Sequence, residues 1–149
     1  MRFLIEIAAA VTGTVSFSLL FGVPTQYYPY CGFIGGVGWF VYSLLALKGC
    51  SAPVASLFAT VMVILLSRSF AVREQCPVTI FLISGIFPLV PGAGLYWTTY
   101  YIVMNKLDLA LQTGFTSLKI AVAIVMGIVF VFELPQRIFR VFSPKHPNR

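Results

Sequence analysis

The chain has 149 residues, enough for one domain; 59% of them are apolar and only 9% are charged. Soluble domains carry about 25% charged residues to cover their surfaces. This composition therefore excludes a water-soluble globular protein, and it is the opposite of an intrinsically disordered one. The net charge of +6 comes from lysines and arginines at the ends of apolar stretches. There they orient a chain in a bilayer and meet anionic lipid headgroups, which argues against nucleic acid as a partner.

No charged residue interrupts positions 7–47, 49–67 or 75–105. A hydrocarbon core of about 30 Å takes about 20 apolar residues as helix. The chain thus reads as an all-α polytopic membrane bundle of about five transmembrane helices in a single integral membrane domain, 1–149. The alternation that marks a transmembrane barrel does not occur in the sequence.

The first span covers about 3–22. Its apolar run exceeds the roughly 7–15 residues of a signal peptide and no small-x-small site follows, so it reads as retained. Thr12, Thr14, Ser16 and Ser18 recur at every second position, which spreads them around a helix. Pro24 and Pro29 stop the helix in a tyrosine-rich turn suited to the headgroup level. The second span, about 31–47, contains Gly32, Gly35, Gly36 and Gly38. Gly32 and Gly36 leave one face smooth, so another helix can approach closely, either a span of this chain or a partner subunit. Gly49, Cys50 and Ser51 turn the chain into a third span, about 52–70, with Ser51 as candidate cap and Pro53 in the first turn. Arg68, Arg73 and Glu74 read as a polar loop closed by Pro77.

The fourth stretch, about 78–104, would reach about 40 Å as one helix. It contains a Pro-x-x-Pro-Gly break: Pro88, Leu89, Val90, Pro91, Gly92, then Ala93 and Gly94. Pro88 and Pro91 take the usual donors away from the Ser84 and Phe87 carbonyls. With Pro91 as the first residue of a new half-helix, the N–H groups of Gly92, Ala93 and Gly94 become unclaimed donors at a positive dipole end, which suits a carboxylate. In lipid, unsatisfied backbone is tolerated only against protein or a wet cavity. Pro88, Pro91, Gly92, Ala93 and Gly94 are therefore the candidate substrate-binding residues, with a packing kink as the alternative reading. The aromatics at 96–101 read as an interfacial belt. A polar turn at 105–108 leads to the fifth span, about 113–134, and a basic tail, 135–149, carries Arg137, Arg140, Lys145 and Arg149.

Five spans place the termini on opposite sides of the membrane. Arg2, Lys48, Lys106 and Lys119 then share one side, and Arg68, Arg73 and the tail share the other, which the positive-inside rule makes cytoplasmic. Four spans with one re-entrant segment is the alternative. Glu6, Lys119 and Glu133 lie in or near spans, and Glu6 and Glu133 are candidates for proton coupling beside a plain anchoring role. Nothing supports catalysis. The single histidine, His146, is in the tail, and the single aspartate, Asp108, is in a turn. Cys31, Cys50 and Cys76 make no metal-ligand spacing, and no Walker loop occurs. No cofactor and no metal are expected.

The run Gly85, Ile86, Phe87, Pro88, Leu89, Val90, Pro91, Gly92 is supported by Phe21, Gly22, Val23, Pro24 and by the stretch 32–39. In this order and spacing the chain resembles the threonine/serine exporter family in its small-subunit, C-terminal-half form, over nearly its whole length. It departs at Gly22, where the family leads one to expect Asn. The resemblance implies a multi-pass protein of the bacterial inner membrane. It implies one subunit of a secondary exporter of threonine/serine-like amino acids or small dicarboxylates such as succinate, driven by the proton gradient. It also implies a larger companion subunit, with a homo-oligomer as the other possibility. A non-transporting assembly or stabilising subunit is the alternative from a different class.

Overall fold

The computed structural model describes residues 2–135, and the basic residues Arg137, Arg140, Lys145 and Arg149 lie outside the described residues. Six α-helices follow one another: α1 (Arg2–Leu20), α2 (Tyr28–Leu47), α3 (Ala52–Glu74), α4 (Thr79–Ile86), α5 (Gly92–Val103) and α6 (Leu107–Phe132). Short 3-10 turns at Thr25–Tyr27 and Phe87–Leu89 precede α2 and α5. No strand occurs among the described residues.

Four of the helices end in one device. Gly22, Gly49, Gln75 and Asn105 have positive φ. At Gly22, the Val23 N–H reaches back to the Ser18 carbonyl at 2.9 Å and the Gly22 N–H to Leu19 at 3.1 Å. Gly49 and Asn105 repeat the pattern, through Cys50 to Leu45 at 3.1 Å and Lys106 to Tyr101 at 2.9 Å. This is the left-handed helix stop, in which orphan carbonyls find donors and Gly or Asn is favoured. The departure at Gly22 is thus a capping position where Gly and Asn satisfy the same backbone demand.

Several boundaries differ from the sequence reading, each for a local reason. Pro29 lies in the first turn of α2, where its missing N–H costs nothing, so it opens a helix and does not stop one. Ser51 precedes α3, but its hydroxyl makes no capping bond, and the backbone bond from Ala55 N–H to the Ser51 carbonyl at 3.0 Å starts the helix alone. Arg68, Arg73 and Glu74 are not loop residues; they form the last turns of α3. α6 starts at Leu107 and not near 113, because Asn105 closes α5 sharply and Asp108 then lies in a first turn that favours negative charge.

α1, α2, α3 and α6 are each long and apolar enough to cross a membrane. α4 with its 3-10 turn and α5 pass the same test only as a pair, bent by 48° at the break. Arg68 fixes the sense of that pair. It is buried near the C-terminal end of α3, and its guanidinium donates to the carbonyls of Val131 and, at 3.1 Å, Leu134. Both helix C-termini therefore share one end of the bundle. Since α6 starts at the far end, α4 and α5 together traverse the bundle, which makes five crossings.

Glycines set the packing of α2. A Cβ on Gly32 would lie 3.1 Å from the Val15 Cγ2, and one on Gly36 would lie 2.7 Å from the Val11 Cγ2. One on Gly35 would collide with the Thr14 side chain. The partner of the smooth face is thus α1 of the same chain. Thr14 and Ser18 are buried on that face, Thr12 and Ser16 are exposed, and all four donate to carbonyls four residues back. The core below is built from Ile34, Val63 and Phe81.

Candidate functional site

The break is assembled from bonds that proline forces to shorten. The Phe87 N–H takes the Ser84 carbonyl, and the Val90 N–H takes the Phe87 carbonyl at 3.2 Å. Both carbonyls that lost a donor to proline thus find one a residue nearer. Pro91 is not the first residue of α5 but the one before it, with φ −76° and ψ 53°. That is an inverse γ-turn, and through it the Gly92 N–H donates to the Val90 carbonyl at 2.7 Å. Gly92 is therefore not an unclaimed donor, contrary to the sequence reading. The Leu95 N–H begins the regular α5 ladder on the Pro91 carbonyl at 3.1 Å. Among the described residues, Ala93 and Gly94 are left as the donors of the first turn without an acceptor.

Those donors border a hollow of about 580 Å³, within the range of about 300–1,000 Å³ usual for small-molecule sites. Pro88, Pro91, Gly92, Ala93 and Gly94 all line it, so the five candidate substrate-binding residues are brought together. At 1.5 Å per residue the break lies about 15 Å from each end of its crossing, close to mid-membrane. Gly92 leaves open space, with nothing within 4 Å of an added Cβ, whereas a Cβ on Gly94 would strike the Ser117 hydroxyl of α6. The two glycines therefore serve different ends, one keeping the hollow open and the other admitting α6. Thr98 links the same pair of helices: its hydroxyl donates to the Gly94 carbonyl at 2.7 Å within α5 and lies 3.2 Å from the Thr113 hydroxyl of α6.

The polar wall of the hollow comes from residues that the sequence reading missed. Gln112, Thr113, Thr116 and Ser117 line it from α6, with Tyr42 and Trp39 from α2 and Ser56 from α3. Their signal was present: positions spaced by one, four and five share a helix face. Trp97 lines the hollow too, and like Tyr96 and Tyr100 beside it, it is exposed on the single chain. None of the described lining residues carries a formal charge at neutral pH.

The two candidate coupling carboxylates part company. Glu6 is exposed and borders two further hollows, of about 280 and 450 Å³, the first of which also touches Phe87 and Pro88 at the back of the break. Glu133 is exposed at the end of α6 and borders none of these three hollows. Gly32, Gly35 and Gly36 lie in the α1–α2 contact and do not line the hollow beside the break. No group of residues able to hold a metal ion occurs among the described residues. At the turn between α3 and α4, burial pushes the Cys76 thiol above its ordinary range.

A discontinuous crossing beside a mostly apolar hollow that carries a few polar side chains, in an all-helical multi-pass bundle, is an arrangement found in membrane transport proteins. Residues 6–133 match the family described as threonine/serine exporter, ThrE, and the chain belongs to that family. Membership points to a transporter and not an enzyme. No solved structure matches the chain.

Proposed function

We propose that the chain is a subunit of a secondary transporter that exports a small hydroxy amino acid of the threonine/serine kind across a bacterial inner membrane. The observation that carries this reading is the pair of unclaimed N–H donors, Ala93 and Gly94, at the edge of a mostly apolar hollow that also presents several hydroxyls and one side-chain amide. A carboxylate suits the donors at the start of α5. The hydroxyls of Thr113, Thr116, Ser56 and Tyr42 offer acceptors for an ammonium and partners for a solute hydroxyl. A small dicarboxylate fits less well. Its second negative charge would find no cation in the lining, and burying an unpaired charge is costly.

Pro88 and Pro91 hold the crossing open, and the inverse γ-turn keeps Gly92 out of the binding set while sparing its space. Glu6 supplies the proton path, because it borders the hollow that touches Phe87 and Pro88 at the back of the break; Glu133 then serves as an end-of-helix anchor. The hollow opens to the outside of this single chain, so a larger companion subunit, or a second copy, closes it. The basic residues near and beyond α6 put the C-terminus in the cytoplasm.

The test is the loss of threonine and serine from preloaded cells that produce the chain with its companion. Export should exceed that of cells lacking it. Gly92→Leu should stop export at an unchanged membrane level, and Glu6→Gln should remove the response to an imposed proton gradient. A pure assembly subunit would still support full export when position 92 is filled.

A further inference from the structure

We propose that Trp39 contacts the solute from α2 and forms the partition between the solute's hollow and the Glu6 side of the bundle; this rests on the reading of the hollow given above. Three hollows meet at this side chain. The first is the one beside the break, the second is the 280 Å³ hollow between α1 and the break, and the third is the 450 Å³ hollow at the α1–α2 end. Trp39 is the residue common to all three, and Glu6 borders the second and third. The indole thus stands between the carboxylate and the donors of α5.

The indole Nε1 is buried and has no hydrogen-bond partner among the described residues. A sealed, unpaired donor is unfavourable, and a tryptophan N–H can only donate. The Thr60 and Ser84 hydroxyls are orphaned as well, but neither residue borders these hollows, and a hydroxyl can rotate in place. An indole must turn as a whole to find an acceptor, and here it has room. The neighbouring wall of the second hollow is Ala9, Ala10 and Gly13, and a Cβ on Gly13 would meet nothing within 4 Å. Turning uncovers the N–H and opens the partition in one movement. A carboxylate held at Ala93 and Gly94 is the acceptor that stabilises the turned ring.

The experiment measures L-threonine transport in membrane vesicles from cells producing the full chain with its companion, for wild type, Trp39→Phe, Trp39→His, Trp39→Ala and Gly92→Leu. Trp39→Phe keeps a ring and loses the N–H. It should raise the half-saturating threonine concentration about tenfold, the effect of one hydrogen bond to a charged group, with the maximal rate nearly unchanged. Trp39→His restores a ring N–H and should recover part of that loss, which a purely structural role would not. Trp39→Ala removes the partition and should let threonine run down its own gradient without an imposed proton gradient. If Trp39→Ala fails to accumulate, Trp39→Phe and Trp39→His decide. Wild-type half-saturation in Trp39→Phe, with transport still abolished by Gly92→Leu, overturns the Trp39 assignment and leaves the site standing. Full transport in Gly92→Leu, or no threonine transport by the wild type, overturns both.

Discussion

Glycine does opposite work in two regions of this molecule. In α2, Gly32, Gly35 and Gly36 are filled from outside by Val15, Thr14 and Val11 of α1, so the missing side chains are where a neighbour sits. At the break, Gly92 has nothing within 4 Å of its absent Cβ, and the missing side chain is space that remains open. In lipid, helices associate through close packing and not through the hydrophobic effect, so the first use builds the bundle. The second use leaves polar backbone accessible at mid-depth. The same residue type therefore has to be read by what surrounds it.

The sharpest way to break this contrast is Gly35→Leu, which drives a side chain into Thr14. Overpacking costs about 1–3 kcal/mol and sometimes more, and even a single added Cβ would already overlap Thr14. Folded protein in detergent, followed by size exclusion of a tagged chain, should fall to a small fraction of wild type. Next comes Gly92→Leu, whose cost falls on transport alone. The folded yield should match wild type and threonine export should drop at least about tenfold; a folding defect would erase the distinction between the regions. Arg68→Ala tests the bond between α3 and α6. Losing the charge-assisted bonds to Val131 and Leu134 should lower stability by about 2–4 kcal/mol, read as a lower melting temperature, and Arg68→Lys should recover less than half of it because an ammonium lacks the planar fork. The smallest effect is expected at Cys76, in the turn between α3 and α4 and outside both regions. Burial raises its pKa, so the reactive thiolate is scarce at neutral pH. Labelling by a water-soluble maleimide should be slow at pH 7 and accelerate as the pH rises past the ordinary thiol range.

Charge-free runs were enough to show the crossings, and two prolines three apart were enough to show where one of them breaks. The finer chemistry was hidden for identifiable reasons. Pro91 fits either the first turn of a helix or the turn before it, and only its dihedral angles assign Gly92's N–H to Val90. Arg68 read as a loop residue because a cation inside a span is costly; the compensating carbonyls lie at and just past the end of α6, more than sixty positions later. Gln112, Thr113, Thr116 and Ser117 share a face, but a face has no meaning until its neighbour is known. The same holds for Trp39, which reads as an ordinary aromatic of an apolar span until three hollows are found around it.

The contact between Arg68 and the end of α6 bears on how the protein is made. Chains enter the bilayer from the N-terminus, so the third crossing leaves the ribosome well before the last one. During that interval the carbonyls of Val131 and Leu134, to which Arg68 donates, do not yet exist. The final crossing brings the carbonyls that take up the Arg68 N–H groups. A chain truncated before Val131 lacks both of the carbonyls that Arg68 donates to in the finished bundle.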